Sequence, residues 1–176
     1  MLMDSSYPPD RSDPRLVRLL QMLGGLTAQE IPLCASNPEY RLGYCWYNCF
    51  AKTRSAGGVA IHGWLLWDDG LGILDQHHSV WQDPSERLVD VTPAATNVPT
   101  TLFAPSPAHE FDYPNLKGWI SVRCRTANAI TLEHIACTGE VLGRHPFPGR
   151  TLLQPKPHDL DEIRQLAPHA GSERFP

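Results

Sequence analysis

The sequence predicts a mixed α+β fold in which N-terminal helices pack on an antiparallel β-sheet. In the first third of the chain apolar residues recur at helical spacing, whereas beyond residue 58 β-branched and aromatic residues form short runs separated by turn residues. The length of 176 residues and the hydrophobic content of 41% suit one core. We therefore expect a single domain over residues 14–167 and a flexible tail over residues 168–176. Residues 1–13 are polar and rich in Pro, Ser and Asp, which predicts a disordered leader.

Two helices are predicted in the N-terminal part. Asp13 is a suitable N-cap and Pro14 suits the first helical turn, after which leucines recur at helical spacing as far as the glycines at residues 24–25. Thr27 and Glu30 have the spacing of a capping box. This spacing predicts a second, brief helix.

A third helix is expected to open at Cys45. Residues 44–54 contain no Gly or Pro, and their apolar positions suit a buried helix that begins directly after Gly43. The glycine pair at residues 57–58 ends it.

The strands are predicted from β-branched and aromatic runs bounded by turn signals. Three antiparallel strands are expected at residues 59–67, 73–81 and 88–91. The proline-rich stretch over residues 91–115 predicts an irregular surface loop. A second set of strands is predicted at residues 119–125, 129–137 and 140–144, and a terminal helix at residues 159–167. We expect the sheet to pack against the Cys45 helix.

Composition and charge exclude several classes of function. A net charge of −4, with basic residues scattered along the chain, offers no stripe that would neutralise a row of phosphates, so no nucleic-acid partner is expected. No N-terminal signal and no long apolar run is present, which favours a cytoplasmic protein without a membrane segment. The five cysteines are an odd number without regular spacing, which argues against a secreted disulfide framework.

Cys45 is the candidate nucleophile. It opens the proposed helix, where unpaired backbone amides and the helix dipole favour a negative charge and stabilise a thiolate. Cys49 lies one turn further along the same helical face, where core packing is the expected role.

A histidine and an aspartate are expected beside Cys45. Strand alternation directs His78 and its neighbour His77 to opposite faces, so one of the two can face the helix, and we choose His78. Asp90, on the next strand, would fix the imidazole tautomer and stabilise the imidazolium. His77 is kept as a supporting residue.

The same residues resemble a known family. Gly43-Tyr44-Cys45-Trp46, His78-Ser79-Val80-Trp81 and Leu88-Val89-Asp90-Val91-Thr92-Pro93 together look like the core of the papain-like fold in its transglutaminase-like branch. The resemblance covers residues 43–93 and implies Cys45 as nucleophile, His78 as general base and acid, and Asp90 as the orienting group. Three departures are visible: Trp81 follows His78 by three residues instead of two, Val-Thr-Pro follows Asp90, and no glutamine suited to an oxyanion hole precedes Cys45.

The predicted function is cysteine-dependent acyl transfer through a Cys45 thioester, with a peptide or protein amide as substrate and no cofactor. An amidase, peptidase, deamidase or transglutaminase-like enzyme would share this intermediate. Asn48 is a candidate oxyanion donor. The aromatic side chains Trp46, Trp64 and Trp81 are candidates for lining the substrate cleft.

Two other functions remain open from the sequence. The cysteines and histidines include the ligand types that zinc prefers, although no Cys-x-x-Cys is present and we assign no metal ligands. A non-enzymatic binding or interaction module on the same scaffold is the other alternative, because a fold does not establish a function.

Overall fold

The computed structural model describes residues 6–34, 40, 44–70, 72–94 and 96–108, and the backbone of three later strands. The described helices are α1 Pro14–Met22 and α2 Cys45–Ala56. The strands are β1 Gln29–Pro32, β2 Val59–Asp68, β3 Ile73–Gln82, β4 Leu88–Val89, β5 Thr100–Pro105, β6 Val122–Cys124, β7 Thr131–Ile135 and β8 Val141–Pro146. The predicted α+β class is confirmed. The predicted terminal helix and tail lie outside the described residues, and the single-domain boundaries stay a prediction.

The first helix forms as its sequence predicts. The side chain of Asp13 accepts a hydrogen bond from the backbone N–H of Arg15 at 2.7 Å, and Pro14 occupies the first turn. Leu16 and Leu19 are buried against the sheet.

The N-terminal segment before α1 is attached to the sheet from residue 6 onward. Tyr7 exchanges two backbone hydrogen bonds with Asp68, at 2.9 and 2.8 Å, and Ser6 is buried. Arg15 also joins Asp68 in an ion pair at 2.7 Å. Pairing with the end of β2 thus supplies contacts that the composition of residues 6–13 lacks. Residues 1–5 lie outside the described residues, and the disordered leader over residues 1–13 stays a prediction.

The sheet is mostly antiparallel and nearly barrel-shaped. Its strands run in the order β1-β5-β2-β3-β4, with β6 also paired to β3. Beyond β4, the backbone of Asp90 donates to Pro32 O at 3.1 Å and accepts from Cys34 N at 2.9 Å. These bonds link the residue after β4, at one end of the strand order, to the end of β1, at the other.

Two predictions about this part of the chain are corrected. Residues 29–32 form strand β1 where a brief helix was expected, because they pair with β5 in the register Gln29↔Phe103 to Pro32↔Thr100 and bury Ile31. The proline-rich stretch expected to be irregular contains β5, which pairs with both β1 and β2. The other predicted strands are confirmed, although β4 is only two residues long.

The two faces of the sheet carry separate hydrophobic clusters. One cluster lies under α1 and contains Leu16, Leu19, Trp64, Leu66, Ile73, Leu102 and Ala104. The other lies on the opposite face and contains Ile31, Leu65, Trp67, Val80 and Phe103. Neither described helix has the length and apolar character needed to cross a bilayer.

Candidate active site

The site lies at a break in the outer edge of β3. One edge of β3 is paired with β2 along its whole length, and the other edge is paired with β6 at residues 73–75 and with β4 at residues 81–82. On this second edge no described strand pairs with residues 76–80, which lie between the two ladders, and α2 packs against β3 there. The break therefore brings the start of a helix to the middle of a strand.

Both cysteines of α2 bind the backbone of one strand residue. The thiol of Cys49 donates to the carbonyl oxygen of Ser79 at 3.2 Å. The backbone N–H of Ser79 donates to the sulfur of Cys45. Because these two backbone groups belong to a single residue, they fix the first turn of α2 on β3.

The structure brings Cys45, His78 and Asp90 together. Nε2 of His78 lies 3.0 Å from Oδ2 of Asp90, and the ring also forms a hydrogen bond with the sulfur of Cys45. Since Nε2 engages the carboxylate, Nδ1 is the ring nitrogen that remains for the sulfur. His78 is 6% exposed and Asp90 2% exposed, whereas Cys45 is partly exposed. Cys45 is therefore less buried than the two residues that support it.

Asp90 is held on several sides. Its backbone is bonded to β1 as described above, and its Oδ1 accepts a hydrogen bond from the N–H of Thr92 at 2.8 Å. Asn48, which is fully buried, donates from Nδ2 to Oγ1 of Thr92 at 3.3 Å. Asn48 therefore braces the segment that carries the carboxylate and links it to α2.

The charges in this group shift two pKa values in opposite directions. Burial is the largest influence on Cys45 and raises its pKa, but the charge of His78, its hydrogen bond and the Ser79 N–H together bring the pKa of Cys45 below that of an ordinary thiol. Burial lowers the pKa of His78, but the charges of Asp90 and Cys45 and their hydrogen bonds raise it well above the usual range. The arrangement favours a thiolate paired with an imidazolium.

The other two described cysteines have the opposite character. Burial, reinforced by the charges of Cys45 and Asp90, raises the pKa of Cys49 well above that of an ordinary thiol. Burial also raises the pKa of Cys34, with a further contribution from Asp90. Both residues are therefore protonated at a pH where Cys45 is a thiolate.

His77 lies on the face of β3 that is turned away from His78. Its ring stacks on His62 with centroids 6.4 Å apart and meets Trp64 edge-on at 5.5 Å. Nδ1 of His62 lies 2.6 Å from Oγ of Ser79, the residue whose backbone binds the two cysteines. This contact connects the far face of the sheet to the site through a single strand position.

His62 should make the fold sensitive to acid. Burial lowers the pKa of His62 to about 4, so between its unfolded pKa of about 6.5 and pH 4 the unfolded chain binds the extra proton. The contribution of neutral His62 to the free energy of unfolding should be fully present above pH 6.5. The free energy of unfolding should fall by about 2 kcal/mol as the pH drops to 4, a value that allows for the partial exposure of the ring. Denaturant unfolding at several pH values measures this. We expect His62→Asn to flatten this pH dependence; parallel curves for His62→Asn and wild type would contradict the assignment.

The three candidate lining tryptophans lie in different places. Trp46 is buried and packs edge-on against Tyr47 with centroids 6.0 Å apart. Trp81 is half-buried and donates from Nε1 to the carbonyl oxygen of Gly57 at 2.8 Å, which ties β3 to the end of α2. Trp64 is buried under α1, on the face opposite to His78, and does not line a cleft at the site.

Two features of the site have no signal in the sequence. One is the Ser79 N–H, which is a backbone group, and the other is the contact of His62 with Ser79. This contact depends on the β2–β3 register, which pairs His62 with Ser79. Among the described residues, no group of three or more His, Cys, Asp or Glu side chains is arranged to hold a metal ion.

Comparisons with known proteins found no match. No protein-family model, curated protein or solved structure matches the chain. The geometry of the site is therefore the basis for assigning a function.

Proposed function

We propose that this chain is a cysteine-dependent acyl-transfer enzyme that acts on a peptide or protein amide through a Cys45 thioester. The observation that carries the proposal is the continuous chain of hydrogen bonds from the buried carboxylate of Asp90 through His78 to the Cys45 thiol, whose pKa is lowered. A nucleophile, a base within hydrogen-bond reach and a group that orients the base are the three parts that covalent catalysis requires.

The reaction follows from these positions. The Cys45 thiolate attacks the amide carbonyl carbon, and the His78 imidazolium gives its proton to the nitrogen as the C–N bond breaks. The backbone N–H of Cys45, which opens α2 and has no intrahelical acceptor, is a suitable donor to the developing oxyanion. His78, now neutral, takes a proton from water or from an acceptor amine, which attacks the thioester and frees the sulfur.

The resemblance of residues 43–93 to the transglutaminase-like branch of papain-like enzymes supports the same assignment. The order nucleophile at a helix start, histidine on one strand and aspartate on the next agrees with the positions of Cys45 in α2, His78 in β3 and Asp90 directly after β4. Asn48, considered as an oxyanion donor, is better assigned to bracing Thr92, because its amide already donates there.

Trapping of an acyl group tests the proposal. Wild-type protein incubated with an activated acetyl ester such as p-nitrophenyl acetate should acquire one acetyl group on Cys45, located by peptide mapping. The adduct should be lost to water, and faster in the presence of a primary amine if the enzyme transfers acyl groups to amines. Absence of the Cys45 adduct, with acetylation confined to other side chains, would refute the proposal.

The pH dependence of alkylation is an independent prediction. Because the pKa of Cys45 is lowered and that of Cys34 is raised, Cys45 should be the more reactive of the two thiols toward iodoacetamide as the pH falls from 8.5 to 6.5. At pH 6.5 we expect Cys45 to react at least about 10-fold faster than Cys34, as measured by peptide mapping of quenched samples. Equal rates for the two thiols would show that His78 does not stabilise the thiolate.

A further inference from the structure

The two cysteines of α2 lie next to each other at the site. Cys45 and Cys49 are one helical turn apart and on the same face, and the two sulfurs bind the N–H and the carbonyl oxygen of the same residue, Ser79. The charge on Cys45 is close enough to affect the pKa of Cys49. The two sulfurs are not bonded to each other. Acyl transfer through Cys45 gives Cys49 no role.

The geometry of the first turn permits a bond between the two sulfurs after a small movement. Residues four apart in a helix have Cα atoms about 6 Å apart, within the range that disulfides span, but their Cβ atoms must approach to roughly 4 Å. Cys45 is the first residue of α2, and the N-cap residue Tyr44 makes no side-chain capping bond to the helix. A rearrangement confined to this first turn is therefore less costly than one inside a helix.

We propose that Cys45 and Cys49 form a peroxide-sensitive dithiol, in which oxidation closes a reversible disulfide that blocks the Cys45 site. The regulatory consequence rests on the proposed acyl-transfer function, whereas the oxidation itself does not. A hydroperoxide is the oxidant and a cellular thiol is the reductant. The pair is thus a modification site within the nucleophile's own helix.

The chemistry balances in two steps. The Cys45 thiolate attacks the terminal oxygen of the hydroperoxide and the O–O bond breaks. The His78 imidazolium donates its proton to the departing oxygen, so an alcohol or water leaves while Cys45 becomes a sulfenic acid. The Cys49 sulfur then attacks the Cys45 sulfur, the S–O bond breaks, and water departs with the proton of Cys49. One hydroperoxide is reduced for each disulfide formed, and a thiol reductant reverses the bond by exchange.

The burial of the two residues supports this division of roles. Cys45 is partly exposed and can meet the oxidant, whereas Cys49 is fully buried and protonated, so it is protected from direct attack and serves as the resolving thiol. Resolution by Cys49 would keep Cys45 from irreversible oxidation to the sulfinic acid.

Peptide mapping of the oxidised full-length protein tests the inference. After treatment with hydrogen peroxide near stoichiometry and alkylation of the remaining thiols, the tryptic peptide that contains both Cys45 and Cys49 should be unalkylated and lighter by two hydrogens. Dithiothreitol should restore alkylation at Cys45 to at least about nine-tenths of its starting level, since exchange reverses a disulfide. In Cys49→Ala, Cys45 should proceed to the sulfinic acid and stay unreactive after dithiothreitol.

Cys34→Ala is the matched control and should behave as wild type. The inference is overturned if the wild-type protein forms sulfinic acid at Cys45 as readily as Cys49→Ala does, or if Cys45 bonds to Cys34 instead. The wild-type map decides the question even if Cys49→Ala does not fold. This experiment uses no substrate, so the disulfide can be detected even if no acyl group is trapped on Cys45. If an acyl group is trapped but no disulfide forms, the dithiol inference fails and the proposed acyl transfer stands.

Discussion

Replacing Cys45 with alanine should abolish acyl transfer, with a loss of about 10³-fold or more in turnover of an activated ester. The change removes the atom that would form the thioester. It removes only one partly exposed sulfur, and His78 keeps Asp90 as its partner, so the fold should persist. Turnover is measured by release of the leaving group, and circular dichroism checks the fold.

Cys49→Ala is the matched control for this variant because it removes the same side chain one turn away. It should keep acyl transfer within a few-fold of wild type but lower the free energy of unfolding by about 1–2 kcal/mol, through lost packing and the lost hydrogen bond to Ser79. Equal turnover in Cys45→Ala and wild type would eliminate Cys45 as the nucleophile, whatever the behaviour of the control.

Replacing Asp90 with asparagine should lower turnover by about 10²–10⁴-fold without removing the thiol. The neutral amide keeps the shape of the side chain but no longer stabilises the imidazolium. Since the charge of Asp90 raises the pKa of His78, its loss should lower that pKa. The alkaline limb of the pH profile of kcat/KM, set by deprotonation of His78, should move to lower pH.

Asp83→Asn is the control for the Asp90 variant. Asp83 is also buried and acidic and lies close by in sequence, but it is bonded to Ser85 and to Arg87 in the turn before β4. Its replacement should weaken the fold and leave the alkaline limb in place. An unmoved limb in Asp90→Asn would show that the 3.0 Å contact with His78 has no catalytic consequence.

The part of the site that could be predicted from sequence depends on local periodicity. Glycine before Cys45 and the glycine pair after the helix mark the limits of α2, which begins and ends where the pattern indicates. Alternation along β3 separates His78 from His77, and the structure places the two on opposite faces. Asp90 is near His78 because both lie close to one short antiparallel turn.

The features that sequence reasoning missed depend on contacts distant in the chain. A capping-box spacing at Thr27 and Glu30 predicts a helix, but pairing with β5 across some seventy residues overrides this local preference. Prolines made β5 look irregular, although Pro99 and Pro105 lie at or just outside its ends, where a missing N–H is tolerated. The contact of α2 with residues 76–80 is possible because β4 is short and β6 pairs only with the start of β3. The residue pattern of β3 alone does not reveal where its neighbours end.

The short length of β4 affects the tendency of the protein to aggregate as well as the chemistry of the site. A strand edge without a neighbouring strand is a template for association with other chains, and here the N-terminal half of α2 covers this edge of β3. Local melting of that helix would separate Cys45 from His78 and uncover the outer edge of β3 at the same time. Loss of activity and the onset of aggregation should therefore share one temperature midpoint.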